Sequence, residues 1–197
     1  IGMGGAGSLI EGSLLHDVTF IGSYRRSYLD LISDAINAGG GLPSYDDLQG
    51  KLKYSPSHYD AFTILLVNGN SLYERKKEES ISAGEDTYGN VKNKQNTIGL
   101  GHRHIWNQNA YSNTSVSISK QNADATFYEN QSDTISLSTN DIFRTFNARQ
   151  INHIQFNKIL SSAFGFEIQN RNLEYDFFLN NVNSKNDVLV TNLSSFM

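Results

Sequence analysis

The chain has 197 residues, no cysteine, two prolines and a formal net charge of −4. Without cysteine there is no disulfide framework, thiolate metal site or thiol nucleophile. The mildly acidic balance shows no basic stripe, which argues against a nucleic-acid binder. Charged residues are 18%, aromatics 11%, and Ser plus Asn fill 45 positions. The polarity therefore rests on neutral groups, unlike that of a disordered chain.

No run approaches the ~18–20 apolar residues of a transmembrane helix. The longest are short, such as Ile64 to Val67. No secretory signal peptide is visible and the first residue is Ile, so the expectation is a sequence that starts after processing or inside a longer chain.

In chain order, the glycine-rich opening, Gly2 to Gly7, leads into an alternating segment, Ser8 to Leu15. His16-Asp17 is a short break, and alternation resumes from Val18 to Tyr28. Period two over this length predicts two strands joined as a hairpin. Asp46 to Tyr54 alternates next, followed by a turn at Ser55 to His58, where Pro56 cannot donate to a ladder. Ala61 to Leu72 and Asn96 to Trp106 are the following strands, then a polar turn at Asn107 to Asn109. Tyr111 to Lys120, Ile142 to Phe156 and Leu160 to Ile168 continue the pattern, with a turn at Asn157-Lys158. Asp187 to Met197 reads as a further strand. About eight to ten strands are expected.

The connections alternate. Short turns fall near residues 16, 56, 108 and 157, and long polar connections near 29–44, 75–94, 122–140 and 173–187. The first of these carries a helical turn around Tyr28 to Ala38. This layout predicts an all-β, antiparallel up-and-down meander: a partial transmembrane β-barrel with short periplasmic turns and long extracellular loops. Several strands reach the ~9–11 residues a tilted strand needs to cross a bilayer. Small polar residues on one face and branched or aromatic ones on the other fit a polar interior and a lipid-facing exterior. Tyr54, Trp106, Tyr111 and Phe156, near strand ends, are candidates for an interfacial girdle. The two faces cannot be assigned for 61–72 and 142–156, where both mix apolar and polar groups.

Specific residues carry a resemblance. Gly7 to Gly12 (GSLIEG), then Phe20 to Leu31 (FIGSYRRSYLDL) and Asp46 to Tyr54 (DDLQGKLKY), are similar to the early barrel of TonB-dependent outer-membrane receptors. The resemblance is to the Bacteroidota type that often carries a carboxypeptidase-like regulatory domain before its plug. Asn96 to Trp106, Tyr111 to Lys120, and Phe156 to Glu167 also resemble strands of that barrel, so the likeness spans about residues 5 to 172. It implies a cell-outer-membrane location and active uptake of a nutrient: an iron chelate, cobalamin, a glycan or a peptide. The implied partners are outer-membrane lipid, a plug domain of the same full-length chain and the TonB energy-coupling complex. No nucleic acid is implied. The family closes about 22 strands, so residues 1–197 are expected to be part of one barrel, with a plug upstream of Ile1 and further strands beyond Met197. Rival readings are a passive porin-like barrel and a soluble β-rich adhesin or carbohydrate-binding module, with a β-barrel enzyme a distant third.

Candidate sites are few. Gly2, Gly4, Gly5 and Gly7 lack the spacing of a phosphate loop. His102 and His104, two apart on a strand, point the same way, but no third metal ligand lies near them in sequence. Arg25, on the face of Thr19 and Ser23, is the lumen candidate, and by resemblance it contacts a plug; Arg26 is placed at the loop base. Asp46, Asp47, Glu85 and Asp86 are read as solvated carboxylates in or beside loops, without calcium spacing. Lys76, Lys77, Glu78 and Glu79 form a mixed charge run, the mark of a solvated face. No nucleophile elbow occurs. No catalytic, cofactor or metal residue is assigned, no enzyme is expected, and substrate-binding residues are left open.

Overall fold

A computed structural model of the chain describes residues 5–27, 43–179 and 182–196. They form one antiparallel sheet of nine strands in sequential order. These are β1 (Gly5–Leu15), β2 (Val18–Ser27), β3 (Ser44–Tyr54), β4 (Asp60–Arg75), β5 (Thr87–Asn107), β6 (Ala110–Glu129), β7 (Ile135–Gln155), β8 (Ser161–Leu179) and β9 (Val182–Phe196). Each strand pairs with its chain neighbour, and among the described residues β1 and β9 do not meet, so the sheet is open.

The short turns fall where the sequence predicts them, and their side chains explain why. Ser57 Oγ accepts from the Tyr59 and Asp60 amides, both at 3.1 Å. Asn107 Oδ1 accepts from the Asn109 amide at 2.8 Å. Asn157 Oδ1 accepts from the Ile159 and Leu160 amides, both at 2.8 Å. These short polar side chains mimic a backbone turn and set each reversal.

The long connections are mostly strand. β5 begins at Thr87, β6 runs to Glu129, β7 begins at Ile135 and β8 runs to Leu179. What remains is 76–86, which includes a helix α1 (Lys77–Ser82) that the sequence reading did not predict, and 130–134. The expected connection near 29–44 and its helical turn lie, up to residue 42, outside the described residues.

The reason is physical. Stretches of these extensions, such as 92–95 and 122–126, are polar or small on both faces, so they lack the alternation that marks a strand. They are held by the backbone ladder and by polar pairs across it. Asn140 Nδ2 donates to Asp124 Oδ1 at 2.6 Å and Asn93 Nδ2 to Ser71 Oγ at 3.3 Å, and Arg144 pairs with Glu174. Such pairs each contribute roughly 0.2–1 kcal/mol.

Register settles the two faces that 61–72 and 142–156 left open. One row of directly opposed residues runs Phe20, Leu52, Ile64, Leu100, Val116, Ala148, Ile168, Leu193 across β2 to β9. Every member is apolar. The adjacent row, on the other face, runs Thr19, Lys53, Thr63, Gly101, Ser115, Arg149, Glu167, Ser194. None of those is a large apolar residue, although Leu65 and Val67 in β4 and Phe143 and Ile151 in β7 interrupt the polarity of that face, and Gln150 and Asn152 fall on the apolar one. A one-residue slip would exchange the faces.

There is no interior for the apolar face to fill. Among the described residues no hydrophobic residue is buried, and the accessible surface is 13392 Å². A compact chain of 22.0 kDa would expose about 9300 Å².

Candidate functional site

The apolar face is bounded at both ends by polar groups. Toward the long connections, a register row reads Asn68, Asn96, Lys120, Arg144, Asn172. Arg144 pairs with Glu174 there. Between the boundaries the side chains stand uncovered; Leu66 is 52%, Leu100 56% and Ile118 57% exposed. Gly22 opposes Gly50 within this face. The pair leaves a depression of about 740 Å³, lined by Phe20, Leu48, Leu52, Leu66 and Ile98 among others.

The opposite face carries paired charge. Arg25 meets Asp47 directly across β2 and β3. Its Nε lies 2.9 Å from Asp47 Oδ2 and 3.1 Å from Oδ1, and a terminal nitrogen lies 2.9 Å from Oδ2. This forked geometry fixes orientation as well as charge. Arg149 and Glu167, also directly opposed on β7 and β8, make a looser ion pair at 3.8 Å. Arg25 thus lies on the polar face, as expected from its neighbours. Arg26 is the penultimate residue of β2, opposite Asp46.

At the short-turn end an aromatic run crosses β3 to β5 on the apolar face. Tyr54 and Phe62 have ring centroids 6.4 Å apart, Phe62 and His102 4.4 Å, and His104 and Trp106 4.4 Å. Phe156 follows directly after β7. Tyr111 departs from the expected girdle. It pairs with Ile105 on the polar face, stacks on His153 at 4.5 Å and lies under Arg103. A bulge at Trp106, between Ile105 and Asn107, separates it from the aromatic run.

Within that run stands a cluster that no local spacing reveals. Asp60 opens β4 and lies opposite His104, while Phe62 lies opposite His102. His102 Nε2 is 3.0 Å and His104 Nδ1 2.7 Å from the same oxygen, Asp60 Oδ1. Ser57 Oγ, 3.3 Å away, donates to the other oxygen, Oδ2. Sequence reasoning found the two histidines but missed the carboxylate, 42 residues upstream of His102. Only the β4–β5 register brings it there. The available signal was the turn chemistry at Ser57, which fixes where β4 begins.

At the other end the connections lock together. The Glu79 carboxylate accepts from the Lys76 amide at 3.1 Å, closing the first turn of α1. Glu78 and Glu79 suit the positive end of the helix. Gly84, at φ +72°, ends it by turning the chain back toward β5. Ser80 is fully buried; its Oγ donates to Thr87 O at 2.6 Å and accepts from Asn130 Nδ2 at 2.9 Å. Lys77 pairs with Asp133, which also accepts from Tyr88 Oη at 3.1 Å. The Lys77 ammonium, with help from the Tyr88 hydroxyl, holds the Asp133 carboxyl below the usual carboxylate range.

The remaining sequence candidates are placed as follows. Asp46 and Asp47 lie near the start of β3, beside the preceding connection as expected, but half-buried and bonded to Asn70 and Arg25 rather than freely solvated. Glu85 does lie in the β4–β5 connection, 3.4 Å from Arg75, and the Asp86 carbonyl accepts from the Asn130 amide at 2.9 Å. Lys76 caps α1 and Lys77 to Glu79 form its first turn. Gly5 and Gly7 belong to β1; Gly2 and Gly4 lie outside the described residues.

No known protein family matches the chain, and no curated protein is significantly similar to it.

Proposed function

We propose that this sheet is part of the wall of an outer-membrane β-barrel, and that the barrel is a TonB-dependent receptor for active uptake of a nutrient. One observation carries the membrane reading: an apolar row continuous over eight strands that no described residue covers. Water is a poor neighbour for such a face, and lipid is a good one. The band has a suitable height. From Asp60 to Asn68 the strand rises about 26 Å at ~3.3 Å per residue, or roughly 20 Å along the normal at a tilt near 40°. That is close to the ~25 Å apolar band of such barrels. The aromatic run then lies at the periplasmic interface and α1 at the extracellular end.

The receptor assignment rests on the resemblance of Gly7 to Leu31 and of the strands after it. On this reading the Arg25–Asp47 and Arg149–Glu167 pairs face the lumen, where a plug would pack. Iron chelates, cobalamin, glycans and peptides are the substrate classes implied. The open sheet needs further strands to close, as a barrel of about 22 does.

The absence of cysteine makes a clean test. Single variants Leu66→Cys and Leu100→Cys on one face, and Thr63→Cys and Ser115→Cys on the other, are placed in the chain in its native membrane. The expected result is labelling of the Thr63 and Ser115 positions alone by a water-soluble maleimide. Equal labelling of both pairs, or recovery of the protein in the soluble fraction, overturns the membrane reading. Uptake that survives collapse of the inner-membrane proton gradient overturns the energised-receptor reading and favours a passive porin.

A further inference from the structure

We propose that Asp60, His102 and His104 form a binding site for a divalent transition-metal cation of the zinc class, a step that stands independently of the membrane reading. The donor set is two imidazoles and one carboxylate, with ligand atoms all within 4.8 Å of one another. Zinc takes such nitrogen and oxygen donors at about 2.0–2.2 Å in tetrahedral geometry, which sets neighbouring donors roughly 3.3–3.5 Å apart. Asp60 Oδ1 now lies 3.0 Å from His102 Nε2 and 2.7 Å from His104 Nδ1. Lengthening these two separations by about half an ångström gives that spacing, and the two imidazole nitrogens lie within 4.8 Å of each other.

The backbone and its neighbours preorganise the three groups. His102 and His104 share a face because they are two apart on β5, and the β4–β5 ladder fixes Asp60 opposite His104. Ser57 occupies Asp60 Oδ2 and leaves Oδ1 turned to the imidazoles. Phe62 stacks flat on His102, with planes 7° apart, and Trp106 meets His104 edge-on at 78°. Ring walls and an outer hydrogen bond of this kind orient metal ligands. A single carboxylate oxygen facing two ring nitrogens requires that each bring a proton, and one cation does the work of both.

The site is also selective. Two nitrogens and one oxygen suit zinc, cobalt, nickel or copper, whereas calcium and magnesium require shells of oxygen. The side chains of Asp60 and His102 are 30% and 38% exposed, so water can complete the fourth position. A bound ion would join β4 to β5 beside their short-turn ends.

The test titrates the purified full chain in detergent micelles with Co²⁺ and follows its visible d–d absorption. One equivalent of tetrahedral cobalt, displaced by Zn²⁺, is expected. Asp60→Asn should weaken binding at least about tenfold, and the double variant His102→Asn/His104→Asn should abolish it. His153→Asn, on the opposite face against Tyr111, should leave it unchanged. No saturable signal from the unsubstituted chain overturns the proposal, and that measurement needs no variant to fold. A signal that survives the double variant, or is lost with His153→Asn, also overturns it.

Discussion

Two glycines show how unequal the same residue is in this sheet. A Cβ at Gly165 would lie 2.1 Å from the Gln150 carbonyl oxygen and 3.0 Å from the Phe196 ring. The carbonyl belongs to the ladder and cannot move without breaking it. At Gly50 a Cβ meets nothing within 4 Å. Gly165→Ala should therefore destabilise the folded chain by about 1–3 kcal/mol, while Gly50→Ala should change it by under about 0.5 kcal/mol. Urea midpoints of the two variants in micelles measure the contrast, and equal shifts would contradict it. At this scale much was legible in the sequence. Ser57, Asn107 and Asn157 announce their turns by type, and Arg25 announces its face by the parity of Thr19 and Ser23. Asp60 was not legible as a partner of the histidines, because its position depends on register between strands and no local pattern encodes that.

The elements extend beyond their own hydrophobic signal. β5, β6, β7 and β8 continue through segments such as Lys92 to Gln95 and Asn122 to Thr126, where both faces are polar or small. Period-two reading finds only the stretch where one face is apolar, so the upper strands read as loops. The ladder does not need that contrast, and polar pairs replace it. The true connections are stabilised by their mutual contacts, and this gives a pH prediction. Asp133 titrates below the usual carboxylate range because of Lys77 and Tyr88, and Lys77 is raised above its ordinary value chiefly by Asp133. A depressed carboxyl stabilises above its unfolded pKa and loses that contribution as pH falls through its folded one. The raised lysine contributes below its unfolded pKa and loses that as pH rises through its folded one. Protection of the Asn130 amide from hydrogen exchange, corrected for intrinsic rate, should be flat from about pH 5 to about pH 9 and fall outside those limits. Asp133→Asn should abolish the acid limb. A fall between pH 7 and pH 5, or an unchanged acid limb in the variant, contradicts the assignment.

For the whole molecule, the uncovered apolar face decides the energetics. Val116 sits in the continuous apolar row and Ser117, next to it, on the polar face. If lipid covers the first face, Val116→Arg should cost about 2–4 kcal/mol in vesicles and Ser117→Arg far less. If both faces meet water, each substitution should stay within about 0.5 kcal/mol. Unfolding free energies from vesicles distinguish the cases, and parity between the two would sink the lipid assignment. The order and number of strands followed from alternation and turn spacing. The openness of the sheet was expected only through the family resemblance, because pairing between edge strands leaves no mark in either strand alone.

The long strands have a mechanical consequence. At ~3.3 Å per residue, the 21 residues of β5 or β7 reach about 70 Å, or roughly 50 Å along the normal at the proposed tilt. About half of that projects past the apolar band as continuous hydrogen-bonded ribbon. Between β6 and β7 it ends in a cap of only 130–134. A cap that short on a stiff cantilever has little room to sweep inward. If the sheet is the barrel wall proposed above, this part of the rim would admit a solute through a standing aperture rather than past a closing flap.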